Sequence, residues 1–207
     1  MNPVIRVARE IVIGWIIKLF TSNDVVRYET LKLVIEEIKQ KKILGDTAEL
    51  GVYKGDFAKK INAHFPDKKL FLFDTFSGFD ERDVKTELKM GYNITKTGDF
   101  SNSNIELVLK KMKYRENCIV KKGWFPETAE GIDERFSFVS IDADLFEPIY
   151  AGLMFFYPLL QKGGYIFVHD YNGKTYAAKE AVQKFSKEFN IPYVPLNDIC
   201  GSVIFSK

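Results

Sequence analysis

The chain is poor in cysteine and histidine, with two of each among 207 residues. Two cysteines cannot build the disulfide framework of a small secreted domain, so the composition favours a reducing, cytoplasmic location. Cys118 and Cys200 both stand in apolar, strand-like contexts. We therefore expect buried free thiols at both positions, with pairing across neighbouring strands as the alternative.

An excess of charge of one sign is also missing. The 30 basic and 28 acidic residues are interspersed and give a formal net charge of +2. This balance argues against the basic surface of a nucleic-acid-binding protein. Internal repeats, low-complexity tracts and linkers are absent too, which predicts a single domain over residues 1–207. Within it we expect a helical N-terminal cap at 1–44 and an α/β core at 45–207.

No apolar run is long enough to span a bilayer. The most apolar stretch, residues 11–20, is too short for a transmembrane helix. A small-residue cleavage site of the kind that ends a signal peptide does not follow it. We expect a helix that packs on the core or on a second copy in a homodimer, with contact to a membrane surface as the alternative.

From Gly45 onwards, short β-rich runs alternate with helical stretches. This alternation predicts a doubly wound α/β domain with a mostly parallel sheet, closed by an antiparallel edge. Residues 77–100 show no clear period and carry much charge, so we expect a long loop that serves as a lid. A helix capped by Ser101 or Ser103 should follow and run to about residue 113. The strands are expected at residues 47–52, 70–73, 118–120, 136–141, 165–168, near 193–194, and 202–205.

The segment ELGVYKGDFA, from Glu49 to Ala58, joins the first strand to a helix. Its two glycines, Gly51 and Gly55, would let the backbone approach a ligand closely. A dinucleotide loop requires G-x-G-x-x-G, whereas the spacing here is G-x-x-x-G behind an acidic residue. A carboxylate at this position suits the ammonium group and hydroxyls of S-adenosylmethionine better than a pyrophosphate. An ordinary glycine-containing turn is the alternative.

Asp74 directly follows the second strand. A carboxylate there is placed to bind both ribose hydroxyls of an adenosine cofactor, although it could also cap a turn. Gly123 and Trp124 follow the third strand, and the indole could stack on an adenine or simply pack in the core.

Acidic residues also stand at the ends of the fourth and fifth predicted strands. The fourth strand ends in the sequence IDAD, which contains Asp142 and Asp144, and the fifth is followed by HDY, which contains Asp170. Three carboxylates at neighbouring strand ends predict a site for Mg²⁺, which would bind substrate oxygens and lower a hydroxyl pKa. Helix capping is the alternative. His169 and Asp144 are the predicted catalytic residues. His169 could act as the general base, with Asp142, Asp144 and Lys179 as rivals, or be a packing residue.

Together these segments resemble the Mg²⁺-dependent sugar O-methyltransferases of the macrocin and mycinamicin type. The resemblance also rests on LFDTFSGF at 72–79, GDFS at 98–101, GWFPET at 123–128 and AAKEAVQKF at 177–185. It implies a Rossmann-like class I methyltransferase fold, a seven-stranded sheet with an antiparallel last strand. The implied metal contacts come from Asp142, Asp144 and Asp170. His169-Asp170 stands where the family usually has two acids. The predicted cofactor site comprises Glu49, Gly51, Tyr53, Gly55, Asp74, Thr75, Phe76, Ser77, Gly123, Trp124 and Asp142.

The predicted function is therefore methyl transfer from S-adenosylmethionine to a hydroxyl of a sugar or of a glycosylated small molecule. In-line displacement requires mainly that the protein position the hydroxyl and assist its deprotonation. Three alternatives stay open: a catechol-type O-methyltransferase, an NAD-dependent oxidoreductase, and a non-catalytic protein that binds S-adenosylhomocysteine.

Overall fold

The computed structural model describes residues 24–207. The strands are β1 (Asp46–Leu50), β2 (Leu70–Asp74), β3 (Cys118–Lys122), β4 (Phe136–Ile141), β5 (Leu160–Val168), β6 (Val194–Leu196) and β7 (Ser202–Ser206). The helices are α1 (Val25–Gln40), α2 (Asp56–His64), α3 (Glu81–Lys89), α4 (Ile105–Lys111), α5 (Phe146–Leu159) and α6 (Ala178–Phe189). The apolar stretch 11–20, with its predicted dimer or membrane role, lies outside the described residues.

All seven strands form one sheet in the order β3-β2-β1-β4-β5-β7-β6. The first five pair in parallel, whereas β7 runs antiparallel to both β5 and β6. The predicted seven-stranded, mostly parallel sheet with an antiparallel edge is therefore confirmed.

Both faces of the sheet are covered because the strands are apolar at consecutive positions. In β2, Leu70 and Leu72 pack with α1, α2 and α4, while Phe71 and Phe73 pack with α5 and α6. Such continuous apolar runs are typical of parallel strands buried between two helical layers. The layers leave the carboxyl edge of the sheet free to form a site.

The prediction that residues 77–100 form an irregular loop is wrong in part, because this segment contains α3. This helix was missed since its buried positions are Asp83, Val84 and Glu87, which give no apolar period. The next helix begins after Asn104, whose side chain accepts hydrogen bonds from two backbone N–H groups, so Ser101 and Ser103 are not its cap. It also ends at residue 111 rather than 113.

Two further expectations need correction at the antiparallel edge. Strand β5 starts at Leu160 rather than Tyr165, because the Gly163-Gly164 pair belongs to an irregular part of the strand instead of a turn. Cys200 lies exposed in a turn with a positive φ of 63°, so it is not a buried strand thiol. Cys118 lies half-buried in β3, at the opposite edge of the sheet from the turn that holds Cys200.

Candidate active site

A cavity of about 390 Å³ opens at the carboxyl edge of β1, β2, β4 and β5. This is the position at which open α/β sheets bind their ligands. The cavity brings together most of the residues predicted for the site. Those that line it are Glu49, Gly51, Tyr53, Asp74, Thr75, Gly123, Trp124, Asp142, Asp144, His169 and Asp170.

The loop after β1 presses against the end of β4. Gly51 has a φ of +86°, and a Cβ there would lie 2.0 Å from the backbone oxygen of Asp142. Only glycine is compatible with both the backbone angle and this close approach. Gly55 starts α2 in the left-handed conformation, and a Cβ there would meet Val108 rather than the cavity. Gly51 therefore shapes the cavity floor, while Gly55 shapes the helix beneath it.

Glu49 faces the cavity floor and is only 1 % exposed. Its Oε2 atom has no hydrogen-bond partner among residues 24–207. Burial and the negative charge of Asp142 raise the pKa of Glu49 well above its usual range, although the charge of Arg27 opposes this. A cationic ligand group beside this carboxylate would relieve the cost of burying it.

Asp74 organises the second cofactor-side loop. Its Oδ2 accepts a hydrogen bond from the N–H of Tyr53 at 2.8 Å, and its Oδ1 accepts one from the N–H of Phe76 at 2.6 Å. Thr75 Oγ1 closes the turn by donating to a backbone oxygen at 2.6 Å. Phe76 is buried in the core under α1 and α2, and Ser77 is exposed, so neither of these two predicted residues lines the cavity.

Trp124 lines the cavity and is held by residues that the sequence did not single out. Its Nε1 donates to both carboxylate oxygens of Asp83 at 3.0 Å, and the Arg82 guanidinium lies 3.9 Å above its ring. Burial raises the pKa of Asp83 to about 6, although the hydrogen bond from Trp124 lowers it. Helix α3 thus forms one wall of the site.

Asp142 is bound by Arg27, a residue that sequence reasoning missed. Arg27 Nη1 donates to Asp142 Oδ2 at 2.9 Å, Nη2 donates to Ser140 Oγ at 3.0 Å, and the guanidinium lies 3.9 Å over the ring of Phe57. Burial alone would raise the pKa of Asp142, but the charges of Arg27 and His169 hold it below its usual range. A signal existed, since position 27 precedes Leu31 by one turn and therefore extends the buried stripe of α1.

His169 lies between two carboxylates. Its Nδ1 is 3.1 Å from Asp142 Oδ1 and 3.0 Å from Asp170 Oδ2, but it forms no aligned hydrogen bond within residues 24–207. Burial would lower the pKa of His169, yet the charge of Asp142 and the contacts with both carboxylates raise it to about 11. Among the described residues, Asp142, His169 and Asp170 form a group whose ligand atoms all lie within 4.8 Å of one another.

Asp144 lines the cavity beside this group but does not belong to it. Burial and the charges of Asp170 and Asp142 raise its pKa well above the usual range. Lys179 lies outside the cavity, with its Nζ atom 5.3 Å over the ring of Tyr171. Of the predicted rival bases, Asp144 thus combines a place in the cavity with a raised proton affinity.

Helix α3 is fixed in place by its residue Glu87. This fully buried carboxylate accepts hydrogen bonds from the backbone N–H of Phe146 at 2.7 Å and of Ala177 at 3.1 Å. These N–H groups lie at the starts of α5 and α6, where helices leave donors unsatisfied. Burial raises the pKa of Glu87, while the two hydrogen bonds oppose that shift.

A doubly wound sheet in this strand order, with a glycine loop and an acidic cluster at one edge, defines a class I S-adenosylmethionine-dependent methyltransferase. The chain belongs to the macrocin O-methyltransferase (TylF) family, whose model matches residues 17–207. It is therefore an enzyme, and the NAD-dependent alternative is wrong. Among residues 24–207, no helix combines the length and apolarity needed to cross a membrane.

Two curated relatives act on natural products. The demethyldecarbamoylnovobiocin O-methyltransferase of Streptomyces niveus is 24% identical over 193 residues, which cover 86% of this chain and 71% of that protein. A Streptomyces olivaceus 4'-O-methyltransferase, which acts on a rhamnosyl-tetracenomycin, is 22% identical over 198 residues, covering 86% and 72%. The solved structure of the O-methyltransferase NovP shares the fold, with a TM-score of 0.71 at 21% identity, covering 88% of this chain and 80% of NovP.

Proposed function

We propose that the chain transfers a methyl group from S-adenosylmethionine to a hydroxyl of a sugar or of a glycosylated small molecule, assisted by a divalent cation such as Mg²⁺. The observation that carries this proposal is the contact of Gly51 with Asp142, which joins the cofactor loop to the acidic cluster in one cavity. The acceptors named for the relatives support the sugar part of the proposal.

The cofactor side of the cavity fits S-adenosylmethionine. Glu49 would bind the ammonium group, since its buried Oε2 lacks a partner among the described residues. Asp74, anchored at the end of β2, would bind the ribose hydroxyls, and Trp124 would contact the adenine. The bound cofactor supplies a methyl group on a sulfonium, which is an excellent leaving group.

The acidic side fits a divalent cation. Asp142, His169 and Asp170 would hold it, because their ligand atoms lie within 4.8 Å of one another, with two carboxylate oxygens about 3 Å from Nδ1 of His169. Binding through His169 would require the cation to displace the proton that the two carboxylates stabilise on its ring. A bound cation would supply Lewis acidity that lowers the pKa of an acceptor hydroxyl. We assign Asp144 as the base that removes the hydroxyl proton, because its carboxylate lines the cavity beside the three residues that would hold the cation. His169 then serves as a ligand rather than as the base.

Calorimetric titration with S-adenosylhomocysteine, followed by Mg²⁺ and then EDTA, tests both halves. We expect S-adenosylhomocysteine binding that Asp74→Ala abolishes, and a separate Mg²⁺ response that Asp170→Asn abolishes. Asp67→Asn, on an exposed turn far from the cavity, is the matched control and should bind as the wild type does. Methylation of glycosides but not of catechol would complete the test. Wild-type protein that binds no S-adenosylhomocysteine would refute the proposal.

A further inference from the structure

Four aromatic rings stand in a row along the cavity, and only Tyr53 among them has a predicted role, as a contact of the cofactor. Tyr53 packs against Phe100 with ring centroids 5.3 Å apart, Phe100 against Phe79 at 5.1 Å, and Phe79 against Tyr176 at 5.5 Å. Three of the four, all but Tyr176, line the cavity directly. We call this set the aromatic row.

The aromatic row extends from the cofactor loop to the acidic edge. Tyr53 belongs to the loop after β1, and its backbone N–H donates a hydrogen bond to the carboxylate of Asp74. Tyr176 belongs to the segment between β5 and α6, which begins with His169 and Asp170 directly after β5. A molecule lying along the row would therefore have its cofactor-side end beside Tyr53 and its other end near Asp170.

The backbone fixes the two central rings. The N–H of Phe79 donates to the oxygen of Asp99 at 2.9 Å, and the N–H of Gly98 donates to the oxygen of Phe79 at 3.0 Å. A Cβ at Gly78 would lie only 2.3 Å from the Asp99 oxygen, so the two segments touch closely. These two backbone hydrogen bonds, which we call the bridge between Phe79 and Asp99, hold Phe79 and Phe100 next to each other at the cavity.

Phe100 adopts an unfavourable conformation without gaining burial. Its φ is +65°, which is uncommon for a bulky residue, and its side chain is 42 % exposed. A strained aromatic ring that packs on Tyr53 and Phe79 yet stays partly exposed in a cavity presents an apolar surface to a ligand. Tyr53, Asp144 and Asp170 also have positive φ and line the same cavity.

The angles between the rings indicate the shape of the ligand. Neighbouring planes meet at 88°, 57° and 87°, so the row presents alternating faces and edges rather than two parallel walls. A pyranose ring has an apolar face of C–H groups, which packs on the negative face of an aromatic ring, and a rim of hydroxyls left free to point elsewhere.

Resting on the proposed function, we propose that the aromatic row is the acceptor subsite and binds the C–H face of a pyranose while one ring hydroxyl points to Asp144. The pyranose could belong to a nucleotide sugar or to a finished glycoside. Both sources present the same ring to the row, so the experiment must separate them.

The test is saturation-transfer NMR on protein saturated with S-adenosylhomocysteine, using methyl α-rhamnopyranoside, thymidine-diphosphate rhamnose and catechol as separate probes. We expect transfer to the pyranose ring protons with the wild type, weakened about fivefold or more in Phe100→Ala, since one stacking contact is lost. Calorimetry should show S-adenosylhomocysteine affinity unchanged in that variant. Leu107→Ala, which removes an exposed apolar side chain on α4, is the control and should behave as the wild type.

Each outcome has a separate meaning. If thymidine diphosphate displaces the nucleotide sugar and the methyl glycoside receives no transfer, the acceptor is a nucleotide sugar. If the nucleotide sugar and the methyl glycoside receive equal transfer, the pyranose ring is sufficient for binding. The proposal is overturned if wild-type protein that binds S-adenosylhomocysteine gives no transfer to either pyranose, or if Phe100→Ala leaves the transfer intact. Loss of S-adenosylhomocysteine binding by the wild type would instead refute the proposed function.

Discussion

Replacing Asp83 with asparagine should stabilise the protein, and more so at high pH. Asp83 is 5 % exposed, and both of its carboxylate oxygens accept from the indole of Trp124. Its pKa is about 6 in the folded chain against an ordinary value of 3.8, mainly because it is buried. The folded state therefore binds this proton more tightly than the unfolded state, so the ionised carboxylate opposes folding above pH 6.

The size of the effect follows from those two pKa values. At pH 8, ionised Asp83 lowers the free energy of unfolding by about 3 kcal/mol relative to a carboxyl whose pKa does not change, at 1.36 kcal/mol per pH unit. Asparagine removes that cost and keeps one acceptor for Trp124, and the pKa of about 6 already includes the opposing effect of the hydrogen bond from Trp124. We expect a gain of about 3 kcal/mol at pH 8 and of about 1 kcal/mol at pH 4.5, where Asp83 of the folded chain is mostly protonated.

Urea unfolding followed by far-ultraviolet circular dichroism at both pH values measures this difference. Asp67→Asn is the control, because this carboxylate lies exposed on a turn away from Asp83. That variant should change stability by a similar, small amount at pH 8 and at pH 4.5. If Asp83→Asn shifted stability equally at both pH values, the burial argument for Asp83 would be wrong.

Two other substitutions probe the contacts between the N-terminal helix, the cofactor loop and the acidic edge. Arg27→Met should lower the free energy of unfolding by about 3 kcal/mol, because it leaves Asp142 buried without its guanidinium partner. Adding Asp142→Asn should recover part of that loss, and a double-mutant coupling below about 0.5 kcal/mol in urea unfolding would contradict the pairing. Gly51→Ala should weaken S-adenosylhomocysteine binding at least about tenfold in calorimetry, because a Cβ meets the Asp142 backbone at 2.0 Å. Gly91→Ala has a similar φ of +94° with no described atom within 4 Å, so an equal loss of binding there would sink the steric explanation.

The sheet could be predicted because its determinants are local. Apolar runs such as 70–73 and 136–141 specify strands buried on both faces, and an acid directly after each strand falls at the carboxyl edge. Glu49, Asp74, Asp142 and Asp170 could thus be placed in one site from spacing alone. Their roles toward cofactor and cation stay predictions.

The missed parts depend on contacts between distant segments. Helix α3 escaped detection because its inward positions carry Asp83 and Glu87, whose partners lie 41 to 90 residues further along the chain. Arg27 pairs with Asp142 across 115 positions. Its place on the buried stripe of α1 indicates that it is buried but does not identify its partner. Hydrophobic patterning counts only apolar residues, so it does not find buried polar groups that are satisfied at long range.

The bridge between Phe79 and Asp99 has a consequence for how the enzyme can diversify. Because residues 79 and 99 are hydrogen-bonded neighbours, the segment between them begins and ends at the same place on the domain. A replacement of another length would leave the register of the strands unchanged. It would also have to supply substitutes for Asp83, which holds Trp124, and for Glu87, which binds the N–H groups at the starts of α5 and α6. The exposed positions of this segment can therefore vary freely, whereas a change at Asp83 or Glu87 also alters the wall of the cavity.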